Sequence, residues 1–227
     1  MVRVCVYLSL LLLLGFNICG PVNGRRTRYK PKPKPKPKPG ENPIEEIAAV
    51  QNFDVNQMSG KWYLLSVASR CKYLLEHGYK VEGTIITLTA PVSPKEPLKV
   101  STLTKLNYQC WEIKQQYETT KTPGQFLLRA KIPAKNNEIF IVDTDYKSYA
   151  MLLYKMKDNL TFKLYGRSAV IAEGIVDKFE DMAQKQNLGL DVIFQFPIYG
   201  FCQSADKEHT LEYYSQDTVS LIRLFPL

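Results

Sequence analysis

Gly60-Lys61-Trp62-Tyr63-Leu64-Leu65-Ser66-Val67-Ala68-Ser69, with Arg70-Cys71-Lys72 directly after it, is the run from which this 227-residue chain is best read. Ten residues dominated by aromatic and aliphatic side chains, without proline and introduced by a glycine, read as a β-strand. Side chains alternate across a strand. If the pairing is regular, Leu64, Ser66 and Ala68 share the face of Trp62 and are expected to line any cavity behind it.

Seven similar runs follow: Gly83 to Ala90, Leu98 to Leu106, Gln109 to Glu118, Gln125 to Ile132, Glu138 to Asp143, Ser148 to Met156 and Leu160 to Arg167. Pro, Gly and Asn clusters separate them. Eight short, mostly hairpin-linked strands predict an all-β fold, an eight-stranded antiparallel up-and-down barrel that leaves no edge exposed. One C-terminal α-helix should pack on its wall: Ile175, Val176, Phe179, Met182 and Ala183 form an apolar stripe, and Gly189 lies just beyond its expected end. Leu190 to Phe196 reads as a further short strand.

Upstream of the barrel the chain changes character twice. A positive start at Arg3, the apolar run Val4 to Leu14 and small residues up to Gly24 predict a secretory signal peptide over 1–24. The run is shorter than the ~20 residues a membrane span needs, so a secreted, extracellular protein with no membrane span is expected. Residues 25–50 form a basic tail built on alternating Lys and Pro, disfavoured from folding by missing donors and by charge repulsion. It is either a stiff solvated spacer or a cationic arm for acidic partners. The barrel domain is expected over 51–212, with a C-terminal extension over 213–227.

The net charge of +8 belongs to that tail. Arg3, Arg25, Arg26, Arg28, Lys30, Lys32, Lys34, Lys36 and Lys38 precede the first acidic residue, Glu41; subtracting these nine from +8 leaves −1 for the rest. A near-neutral domain argues against a nucleic-acid groove.

Of five cysteines, Cys5 and Cys19 lie in the leader, which leaves Cys71, Cys110 and Cys202. An odd thiol in an oxidising compartment is either a buried inert group or half of a bond to another chain. Arg70 and Lys72 beside Cys71 favour exposure and the thiolate needed for exchange. Three cysteines permit three single pairings. Enzymatic signals are absent. The two histidines, His77 and His209, are far apart, and His77 near Cys71 reads as a surface-loop residue rather than a base. No metal-ligand spacing and no Gly-rich phosphate loop occurs, so no metal, cofactor or catalytic residue is expected. Asn159-Leu160-Thr161 is a sequon in an expected hairpin, either glycosylated or unused.

Gly60-Lys61-Trp62, Thr144-Asp145-Tyr146 and Arg167 resemble, in order and spacing, the three characteristic segments of the kernel lipocalins. The resemblance covers roughly 52–205. It implies a structural role for Gly60, Trp62, Thr144, Asp145, Tyr146 and Arg167, with Trp62 closing the barrel floor under Arg167. Arg70 to Leu74, Tyr108 to Trp111, Gly124 to Leu128 and Phe196 to Cys202 resemble more narrowly the complement-associated branch of the family. That branch implies an intrachain disulfide between Cys110 and Cys202. It also implies an interchain bond from Cys71 to the alpha chain of complement component eight. The beta chain and other components of the membrane attack complex would be further partners, and the cavity would take a partner loop or a small apolar ligand. The alternative is a carrier or scavenger of small apolar molecules of the alpha-1-microglobulin type, which also has a lone cysteine after its Gly-x-Trp. The prostaglandin-synthase branch carries its catalytic cysteine in the second strand, where Gly83-Thr84-Ile85-Ile86 has none.

Overall fold

Alternating side chains become eight strands that close on themselves. They are β1 (Gly60–Ser69), β2 (Ile85–Thr89), β3 (Leu98–Leu106), β4 (Gln109–Thr119), β5 (Gln125–Leu128), β6 (Asn137–Thr144), β7 (Tyr149–Met156) and β8 (Asn159–Gly166). Each pairs antiparallel with the next, and β8 pairs with β1 to complete the barrel. This computed structural model describes residues 48–93, 96–130 and 133–211, all within the unit 39–227. The expected signal peptide, the Lys-Pro repeat and the extension over 213–227 lie outside the described residues.

Two apolar clusters account for the pattern of the strands. Trp62, Leu64, Val67, Ile86, Phe126, Ile139, Leu152 and Tyr154 fill the interior. Leu65, Ala68, Met151, Leu153, Phe162 and Leu164 face outward beneath α2 (Glu173–Lys185), whose Phe179 and Ala183 are fully buried against them. The runs Ala150 to Tyr154 and Phe162 to Tyr165 are therefore unbroken by exposed positions, because both faces of β7 and β8 are covered. Phe162 and Phe179 stack with centroids 4.9 Å apart. Lys178 Nζ, 2.5 Å from Asp143 Oδ2, ties the same helix to β6.

Several expected boundaries are corrected. The helix stops before Gly189. Asn187 takes the left-handed conformation (φ 57°), with Leu188 N–H bonded to Ala183 O and Asn187 N–H to Gln184 O. Asparagine thus serves where glycine was expected. Strand β5 ends at Leu128, not Ile132, and Ala130 N–H is given to the side-chain Oδ1 of Asn136 at 2.9 Å. Leu190–Val192 forms a 3-10 turn, and only Ile193–Gln195 (β9) pairs, with β1. The segment 70–82 holds α1 (Lys72–His77) and a 3-10 turn, Gly78–Lys80. A strand absent from the sequence reading, β10 (Lys207–Thr210), lies parallel to β4. Val50, assigned to the tail by composition, bonds Ile141 O at 2.8 Å and packs on the interior cluster.

Candidate functional site

The barrel floor is a set of backbone carbonyls gathered by one guanidinium. Arg167 donates from Nε to Tyr146 O (3.1 Å), from Nη1 to Lys61 O (3.1 Å) and from Nη2 to Gln57 O (2.8 Å). Its Cζ lies 3.7 Å from the centroid of the Trp62 ring. Trp62 is fully buried and donates its indole N–H to Met58 O at 2.8 Å. Gly60 adopts φ +103°, and a Cβ there would stand 3.0 Å from Arg167 Nη1, so the approach of the guanidinium requires glycine.

Thr144, Asp145 and Tyr146 shape the β6–β7 turn. Thr144 Oγ1 donates to Tyr149 O (2.7 Å) and accepts from Tyr146 N–H (2.9 Å). Asp145 accepts the backbone N–H groups of Lys147, Ser148 and Tyr149 and the Ser148 hydroxyl. Burial works against its ionised form, but these hydrogen bonds outweigh it and hold the carboxyl below its usual range. None of these six residues is in the lining of the cavity above the floor.

Above the floor lies a cavity of about 430 Å3. Leu64, Ile86, Ile113 and Phe196 give it apolar walls, and Gln115, Tyr117, Tyr154, Lys163 and Tyr165 supply polar groups. Tyr117 and Tyr154, with hydroxyl oxygens 3.4 Å apart, separate it from the tightly filled space around Met58, Leu88 and Phe126. Burial raises the ionisation of all three tyrosines well above the ordinary phenolic range. The opening lies between the segment after α1 and the β3–β4 hairpin, where exposed Lys80, Glu82 and Tyr108 join the lining.

Of the three residues expected to line the cavity, only Leu64 does so. Between Leu64 and Ser66 the pairing with β8 slips, because two residues of β1 advance while β8 advances from Tyr165 to Leu164. A bulge of this kind exchanges the faces. Val67 turns inward, Ala68 turns outward beneath α2, and Ser66 donates to Gln195 Oε1 on β9 at 2.6 Å. The sequence reading missed Lys163, which pairs across from inward-facing Val67. Its signal was parity: Thr161, Lys163 and Tyr165 alternate with the apolar Phe162 and Leu164.

Cys110 and Cys202 are bonded, with sulfurs 2.06 Å apart, and join β4 to the segment after β9. Asp206 reinforces that link by accepting Cys110 N–H (2.8 Å) and donating its own N–H to Cys110 O (2.8 Å). Cys71 is free and partly buried. It precedes α1 at the end of the barrel where the cavity opens, packs in part on the interior cluster and interacts electrostatically with Lys163. His77 instead stacks on Tyr73, with centroids 4.9 Å apart. Tyr108, which joins the cavity lining, is exposed, as are Leu75 and Tyr79 in the segment after Cys71. Asn159 is exposed at the start of β8. Among the described residues no helix is long and apolar enough to cross a membrane, and no His, Cys, Asp and Glu cluster is placed to hold a metal.

Residues 59–198 match the model of the Lipocalin / cytosolic fatty-acid binding protein family. The chain is 38% identical over 170 residues to the complement component C8 gamma chain of Oryctolagus cuniculus, covering 73% of this chain and 82% of that one. It is 28% identical to Protein AMBP of Bos taurus over 72% of this chain, but spans only 48% of that protein's length. A lipocalin of Rhinella marina is 28% identical, over 73% of this chain and 88% of its own. Among solved structures, the siderocalin Ex-FABP superposes with a TM-score of 0.54 at 23% identity, over 66% of this chain and 98% of that one, a likeness of fold.

Proposed function

The chain belongs to the lipocalin family, and from that premise we propose that it is a secreted, non-enzymatic subunit bonded through Cys71 to the alpha chain of a complement component eight. With the beta chain and the other components it would enter the membrane attack complex, its cavity receiving a loop of the partner or a small apolar ligand. The observation that carries this reading is the distribution of thiols. Cys110 and Cys202 satisfy each other, while Cys71, only partly buried, stays free at the end of β1. Exposed Leu75 and Tyr79, in the segment after Cys71, and exposed Tyr108 of the cavity lining offer apolar contact to a partner. A disulfide raises the effective concentration of the partner, so these contacts can be individually weak. The similarity to the C8 gamma chain supports the choice of partner.

Non-reducing electrophoresis of the native secreted protein, followed by mass spectrometry, tests the proposal. The expected result is a larger species that reductant converts to two chains. A single chain migrating alone without reductant would contradict it. The second reading, a carrier of small apolar molecules of the alpha-1-microglobulin type, is favoured by the size of the cavity and by the similarity to Protein AMBP.

Secretion carries its own expectation. Asn159 is exposed beside a tight β7–β8 turn in which Lys157 has φ 56°, an accessible place for glycan transfer. Glycosidase treatment of the plasma protein is expected to lower its mass. An unchanged mass would show the sequon to be unused.

A further inference from the structure

One rung of the β4 edge is left uncovered among the described residues. β4 has eleven residues, whereas β5 has four and pairs with it only at Glu118 and Thr119. From the other end β10 covers the same edge opposite Trp111 to Lys114, and Leu211 N–H extends it to Lys114 O at 2.8 Å. Every second residue of a strand turns its backbone groups toward a given neighbour. Lys114 faces this edge, and so do Gln116 and Glu118. Between the first and the last of these, Gln116 has no strand opposite it among the described residues.

The described chain stops at this gap. Leu211 is 6% exposed and lines the cavity together with Gln115 and Tyr117 of β4. Continuing β10 by one residue brings position 212 opposite Gln116, and strand alternation then puts Tyr213 on the cavity face with Leu211. An unpaired backbone group beside a cavity is costly, so the edge favours that continuation. The sequence beyond it is strongly apolar. Six of the nine residues 219–227 are Val219, Leu221, Ile222, Leu224, Phe225 and Leu227. Leaving such a run in water forfeits its burial energy.

We propose that residues 212–227 are the cavity's own occupant: 212 and 213 extend β10 across Gln116, and apolar side chains of 219–227 fill the space behind it. This rests on the reading of the cavity as a site for a partner loop or a small apolar ligand, and it makes entry competitive. A guest must displace the tail. At about 430 Å3 the cavity is at the small end of ligand pockets, so a few of these side chains fill it. Residues 214–218 span up to about 17 Å when extended, enough to turn the run back toward Leu64, Ile113 and Phe196. A short tether holds the tail near its site at roughly millimolar effective concentration, so weak contacts suffice. A tail seated nine-tenths of the time weakens a guest about tenfold.

The test is fluorescence titration with N-phenyl-1-naphthylamine, a neutral apolar dye that brightens in apolar surroundings. The full chain is compared with a variant ending at Leu211 and with a full-length Leu221→Asp, Leu224→Asp variant, which serves if the shortened chain does not fold. Either variant is expected to bind the dye at least about tenfold more tightly than the full chain. Trypsin should cut the full chain slowly after Arg223, releasing 224–227, and faster once the dye is saturating. If the full chain and the double variant bind the dye alike, or the dye leaves cleavage after Arg223 unchanged, the self-occupant is overturned. The run is then free for a partner, and the carrier reading stands. If no form binds the dye, the carrier reading falls, and the self-occupant with it.

Discussion

Replacing Trp62 with alanine is expected to destabilise the barrel by about 3–5 kcal/mol, the range for removing a buried aromatic. Trp62 has no exposed surface, and its loss has three separate costs. The cavity left behind cannot be refilled by β1 and β2, whose register places Trp62 directly opposite Ile86. Met58 O loses the indole donor that reaches it at 2.8 Å. Arg167 loses the ring beneath its guanidinium while still bound to three backbone carbonyls. Urea denaturation measures the effect as a lower midpoint at constant slope. A loss below about 1 kcal/mol, the typical effect of an ordinary substitution, would mean that the floor closes without the indole.

Joint replacement of Cys110 and Cys202 by alanine should cost about 2–5 kcal/mol, because the bond closes a long loop in the unfolded chain. The cysteines are 92 residues apart. For a domain of this size the melting temperature should fall by roughly 4–20 °C. The loss should be greatest around β10, which is held to β4 by the disulfide, by Asp206 and by the ion pair of Lys114 with Glu208. Thermal unfolding of the double variant checks this. An unchanged melting temperature would show that the strap from Phe201 to Thr210 is docked by its hydrogen bonds alone.

What could be read from the sequence was set by how local the cause is. Strand β3 has the bounds that its alternation predicts, Leu98–Leu106, because each of its inward side chains meets a neighbouring strand. Helix α1 escaped notice because six residues are too few to display a period, and only Leu74 among them is buried. Strand β10 is short and polar. Its pairing depends on a covalent bond and on Asp206, which act from outside the strand. The exchange of faces at Ser66 and Ala68 arises because β1 is shared between β8 and β9, and no residue type in Leu64 to Ser66 announces it. The floor residues, by contrast, carry their chemistry in their identity. The resemblance of Gly60-Lys61-Trp62 and Arg167 to the lipocalin segments implies indole and guanidinium in contact, and the Arg167 Cζ lies 3.7 Å from the Trp62 ring centroid.

Cys71, Cys110 and Cys202 illustrate the same division. Counting them indicated an odd thiol but left three pairings open. The structure joins Cys110 to Cys202 and leaves Cys71 at the end of β1, beside the cavity opening. Lys163 shows the limit in the other direction. A lysine within an apolar strand was visible in the sequence, but its burial beside the Tyr154 ring and Cys71 depends on what β7 and the segment before α1 bring near it.

The most direct measurement is co-secretion of this chain with the alpha chain of complement component eight, as wild type and as Cys71→Ser, followed by electrophoresis with and without reductant. The wild type should run as a heterodimer that reductant separates. Cys71→Ser should give two separate chains, with the melting temperature of the barrel unchanged. A Cys71→Ser protein that still migrated as a disulfide-linked heterodimer, or a wild type that never formed one, would contradict the account.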